Sequence, residues 1–176
     1  MLRQAREYGP ALLVPLAWGF VAAAHLGAVA DSTLFVAHVV MTVLLAVFAV
    51  TGRAEMREGT LRVWWWIVAV GFVVTLLGTV GFRLGDAGAP LQAVALFGWM
   101  VLPAAGFVDT ARRGADRAWL YYGAAVGSVV GAGVYVFGAT MYFLGVDGSL
   151  SAVPVVGLGL VGVGQTAAIL DAAFGY

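Results

Sequence analysis

Two imidazoles are the side chains of this sequence best equipped for chemistry. His25 and His38 are its only histidines, and they flank a short polar break, Ala30, Asp31, Ser32 and Thr33, between two apolar runs. If both runs are helices in a bilayer, the break is a tight hairpin. His25 stands four residues before the end of the first run, and His38 four residues after the start of the second. At a rise of about 1.5 Å per residue, both rings then lie roughly 6 Å inside the same boundary. Met41 and Thr42 follow His38 by about one turn, while Val21, Ala22 and Trp18 precede His25. Paired imidazoles among small and apolar residues suit a flat cofactor, haem b, held by His/His or His/Met ligation. His25, His38 and Met41 are therefore the candidate cofactor-binding residues. Each ring would need an acceptor for its other N–H, such as a backbone carbonyl or a threonine hydroxyl. Zinc or copper suits the set less well, because two histidines supply half a tetrahedral site and only Asp31 offers a carboxylate near that depth. Two other readings stay open: handling of protons or a solute, and neutral histidines bonded to each other, to Asp31 or to water.

The elements that must position these residues are set by composition. Of 176 residues, 62% are hydrophobic and 10% charged, with a mean hydropathy of +0.99. A soluble domain has roughly 45–50% apolar and about 25% charged residues, so a bilayer is the expected solvent. Zero net charge gives no general attraction to nucleic acid. The absence of cysteine removes disulfides, thiolate metal sites, iron–sulfur clusters and thiol catalysis together.

Apolar runs long enough to span a membrane fall at 10–29, 34–51, 61–82, 90–108, 118–144 and 150–174. The first carries Arg3 and Arg6 ahead of it and small residues at its end, as a signal peptide would. Its apolar stretch is longer than a signal core of roughly 7–15 residues, which predicts a retained helix. Arg53, Arg57 and Arg62 lie between the second and third runs, and Arg112, Arg113 and Arg117 between the fourth and fifth. The alternate connections hold Asp31, Asp86 and Asp147, with Arg83 as their one arginine. The positive-inside rule then places the arginine-rich side and both termini in the cytoplasm. The expected fold is all-α: a polytopic membrane protein, one integral-membrane domain of six transmembrane helices in a bundle, N-in and C-in, in a prokaryotic cell membrane.

Aromatic residues agree with that orientation. Trp64, Trp65 and Trp66 open the third run, and Trp119, Tyr121 and Tyr122 open the fifth. Three consecutive tryptophans fan out at about 100° each, so they suit an interfacial belt better than one ligand. Gly123, Gly127, Gly131 and Gly138 on the fifth run, and Gly157, Gly159, Gly162 and Gly164 on the sixth, predict close backbone approach. Those faces would join the two helices to each other, to a second copy or to a membrane-complex partner. Pro103 should kink the fourth helix and free a carbonyl near Trp99.

Further polar candidates inside the runs are Asp109 and Asp171 near their arginine-rich ends, which Arg112 or Arg113 can neutralise, and Gln165 nearer mid-helix, with Arg83 outside. Gln165 fits a bond across to another helix. No Gly-x-Ser-x-Gly or His-Glu-x-x-His motif is present, and a phosphate-binding loop lacks its lysine because the chain has none.

The stretch from Asp31 to Arg113 resembles the small, stand-alone relatives of haem–copper oxidase subunit I. The likeness rests on Asp31, on Ala37 and His38 opening an apolar helix, and on Trp64 to Trp66 followed by Gly71, Gly78 and Gly81. It implies that His38 is a haem ligand. Val36 stands where that family's first histidine would be, and the full oxidase's histidine set is missing, which excludes dioxygen reduction. The expected function is a haem-binding or respiratory-chain-associated membrane protein that is not an enzyme by itself. The alternative is a small-solute transporter, or the substrate-binding membrane component of one.

Overall fold

The computed structural model describes residues 2–146 and 152–174. Asp147 and the start of the sixth apolar run at Leu150 lie outside the described residues, as do the side chains of Arg3 and Arg6. Six α-helices follow one another: α1 Leu2–His25, α2 Asp31–Gly52, α3 Gly59–Gly81, α4 Ala89–Arg112, α5 Ala118–Phe143 and α6 Val153–Phe174. A single 3-10 turn, Gly85–Gly88, joins α3 to α4, and no strand occurs among the described residues. Five of the helices are long and apolar enough to cross a membrane; the apolar part of α1, Ala11–His25, is shorter.

α1 begins at Leu2 rather than at residue 10 and α4 runs on to Arg112 rather than 108, and two further boundaries differ from the sequence reading for local reasons. The first helix ends at His25 rather than near residue 29, because Gly27 takes a left-handed conformation with φ of 72°. The Gly27 N–H then bonds the Ala24 carbonyl and the Ala28 N–H the Ala23 carbonyl, which closes the helix in a Schellman cap. The polar break at 30–33 is not a loop either. Asp31, Ser32 and Thr33 form the first turn of α2, where a carboxylate favours the positive end of the helix dipole.

Each helix from α2 to α6 packs on the next, and α1 packs against α6 rather than on its sequence neighbour α2. The bundle is thus α1, α4, α5 and α6, with the α2–α3 hairpin laid along α4. One buried cluster gathers Phe107, Tyr121, Ala124 and Ala168 towards the arginine-rich end. A second gathers Trp18, Met100, Leu158 and Val161 towards the end that carries the histidines. The aliphatic side chains of α2, among them Val36, Val43 and Val50, remain exposed, as expected of a surface solvated by lipid.

The α5–α6 seam explains part of the glycine pattern. A Cβ on Gly131 would lie 2.7 Å from the Gly157 carbonyl oxygen, and one on Gly157 would lie 2.6 Å from that of Gly131. Only glycine permits the two backbones to touch there. Gly138 meets Pro154 as closely, but Gly127 has ordinary clearance of 3.6 Å to the Leu160 carbonyl, and Gly123 and Gly159 face open space.

Candidate functional site

His38 lies seven residues into α2, half-buried, with its ring in the notch left by Gly78 of α3. Its Nδ1–H donates to the Leu34 carbonyl at 3.0 Å, one turn back along the helix. That bond fixes the tautomer and leaves the lone pair on Nε2, which has no hydrogen-bond partner among the described residues. A Cβ on Gly78 would stand 3.5 Å from this nitrogen and 2.7 Å from the Ala95 Cβ, so the ring edge packs close against α3 where glycine leaves room for it. Phe82 meets the imidazole edge to face at 4.9 Å. Beyond it, Phe35 packs on Phe82, and the Arg83 guanidinium lies 5.3 Å from the Phe35 ring centre, which gives the solitary arginine of this end a cation–π partner.

His25 is anchored by the same local bond, Nδ1–H to the Val21 carbonyl at 3.1 Å. Its Nε2 is engaged, however: it accepts the Tyr135 hydroxyl of α5 at 2.7 Å. Tyr135 in turn packs edge-on against Phe97 of α4. The two imidazoles therefore address the same short stretch of α4 from opposite sides. His38 comes to α4 through Gly78 and Ala95, and His25 through Tyr135 and Phe97. Residues two apart on a helix point about 200° apart. With α4 between them, the rings share no hydrogen bond and no ring contact. Met41 shares the helix of His38 one turn on, so the two cannot oppose each other across a metal. Of the two Nε2 atoms, only that of His38 is without a hydrogen-bond partner among the described residues.

Sequence reasoning passed over Tyr135. The signal was available: a phenol inside an apolar run needs a partner for its hydroxyl. Its partner came from a helix distant in sequence, which spacing along the chain does not reveal.

Gln165 is 3% exposed and holds four helices together. The Trp18 indole N–H of α1 donates to its Oε1 at 3.1 Å. Its Nε2 donates towards the Trp99 carbonyl at 3.1 Å, the Met100 carbonyl at 3.3 Å and Ser128 Oγ at 3.2 Å. Trp99 extends the network the other way, since its indole N–H donates to Thr75 Oγ1 of α3 at 2.8 Å. Thr79 caps the Thr75 carbonyl and shares a hydroxyl bond of 2.9 Å with Thr42 of α2. Polar bonds thus run through all six helices. Indole N–H groups donate and never accept, so Trp18 and Trp99 cannot pass a proton along this line. The network is a fastening.

The remaining candidates are paired at the arginine-rich end. Asp109 accepts from Arg113 at 2.7 Å, one turn on, whereas Arg112 makes no ion pair or hydrogen bond among the described residues. Asp171 of α6 takes Arg117 at 2.5 Å and the Tyr121 hydroxyl at 3.1 Å, tying α6 to the start of α5. The three tryptophans part company: Trp64 donates to Thr110 of α4, Trp65 donates to the Ala49 carbonyl of α2, and Trp66 is exposed.

The fold defines a multi-pass membrane protein with an all-helical bundle. No family model, curated protein or solved structure matches the chain.

Proposed function

We propose that this chain is a membrane-embedded binding protein for a planar, metal-centred ligand of the haem b type, taken through His38 Nε2 and serving respiratory electron transfer rather than catalysis of its own. One observation carries the reading: a half-buried imidazole with its Nδ1–H held by a backbone carbonyl and its Nε2 lone pair without a hydrogen-bond partner among the described residues. A histidine that ligates metal keeps its other ring N–H on a fixed acceptor, and the Leu34 carbonyl supplies one. Haem would contribute electron transfer at its iron. The chain would contribute the ligating nitrogen of His38 and the Phe82 edge beside it. Titrating the purified protein with haem and following the absorbance of ligated haem tests the reading directly.

The topology that goes with it has all six helices crossing a prokaryotic cytoplasmic membrane, both termini inside and the histidines towards the outer face. The arginine asymmetry supports it.

A small-solute transporter is the second reading. Pro103 inside the continuous α4, with the carbonyl it frees at Trp99 next to a polar side chain from α6, is the feature that favours it. Solute-dependent uptake by reconstituted vesicles, absent from empty ones, would put this reading ahead.

A further inference from the structure

An apolar groove of about 610 Å³ runs between α4 and α5, on a face used by neither histidine. Ala104, Ala105, Val108, Ala125, Val126 and Val129 line it, and it is open along its length. The volume is within the range of about 300–1,000 Å³ typical of clefts that hold small molecules. Its lining is apolar throughout, so nothing inside it would orient a polar solute.

The polar end is set by helix periodicity. On α4, Arg112 follows Val108 by one turn and Ala105 by two, on the same face. On α5, Tyr122 and Trp119 precede Val126 by one turn and two, and they are 44% and 73% exposed. The groove therefore begins at an arginine with two aromatic residues and continues as an aliphatic trough. Asp109 bonds directly to Arg113, and Arg112, within electrostatic reach of the same carboxylate, has no hydrogen bond or ion pair among the described residues. A basic residue beside an apolar cleft at a membrane boundary is the arrangement that holds an anionic lipid headgroup, and exposed tryptophan and tyrosine suit the same depth.

We infer that this groove seats one anionic phospholipid, with an acyl chain along Ala104, Ala105 and Val126 and the headgroup phosphate on Arg112. The lipid would fill the seam where α4 and α5 present alanines rather than large side chains. The inference is independent of the haem reading and of which leaflet this end occupies.

The test uses the whole chain, purified in detergent, with phosphatidylglycerol or phosphatidylcholine added and the bound lipid counted by native mass spectrometry. The native chain is expected to retain one phosphatidylglycerol about fivefold more often than phosphatidylcholine. Arg112→Gln should bring the ratio to about one, and Arg112→Lys should preserve most of it. Ala105→Phe should reduce retention of both lipids by obstructing the trough. Both positions are exposed, so these variants leave the buried clusters intact, and thermal melting checks that they do. Equal retention of the two lipids by the native chain would overturn the inference, as would a preference that survives Arg112→Gln. So would a dimer of the native chain that Ala105→Phe dissociates, because the groove would then be the seat of a second copy.

Discussion

The Gln165 amide nitrogen lies 3.1 Å from the Trp99 carbonyl, the acceptor that Pro103 leaves without its helical partner. An α-helix gives each interior carbonyl an N–H from four residues on, and proline has none. In water such a carbonyl would be solvated. In a bilayer it must find a donor within the protein. Gln165 supplies that donor from α6 and is itself oriented by Trp18 from α1. A proline in one helix and a glutamine in another thus form one structural unit.

Gln165→Leu should lower stability by about 2 kcal/mol, since it strands the Trp99 carbonyl and the Trp18 indole at once. The figure is set below the sum of the separate bonds because polar bonds inside membranes average only about 0.6 kcal/mol each. Pro103→Ala would restore a helical N–H to Trp99. In that background Gln165→Leu should cost less by about 1 kcal/mol, measured by unfolding in mixed micelles. Additivity to within about 0.5 kcal/mol would show that the two residues do not act together.

The α5–α6 seam separates glycines that must be glycine from those that need not be. Gly131→Leu should lower the melting temperature strongly, because its Cβ position already falls 2.7 Å from backbone. Gly123→Leu, in open space, should change stability by no more than about 0.5 kcal/mol. Equal effects of the two would place the seam elsewhere.

These comparisons show what could be read from the chain alone. The helical bundle followed from apolar run lengths, which a bilayer constrains tightly. Pro103 announced a free carbonyl at Trp99, and Gln165 announced a bond across helices, but nothing in the sequence joined the two. Which helix neighbours which depends on side-chain fit among six similar apolar cylinders, and sequence order suggested that α1 would lie on α2. It lies on α6, so His25 meets Tyr135. The end of α1 differs for a smaller reason: Gly27 continues the apolar run in the sequence, while its left-handed backbone two residues after His25 caps the helix.

Orientation can be tested with single cysteines, since the chain has none of its own. Ser32→Cys and Arg57→Cys are at exposed positions at opposite ends of α2 or just beyond it. In intact cells an impermeant thiol reagent should label the cysteine at position 32 and leave the one at position 57 unlabelled until the membrane is opened. The reverse pattern would invert the topology.

The central claim is that His38 alone carries the ligand, and absorbance of the haem-supplemented, purified protein tests it most directly. A band of ligated haem should appear, shift on reduction with dithionite, disappear in His38→Ala, and persist in His25→Ala and Met41→Leu. No such band after supplementation, or one that survives His38→Ala, would contradict it.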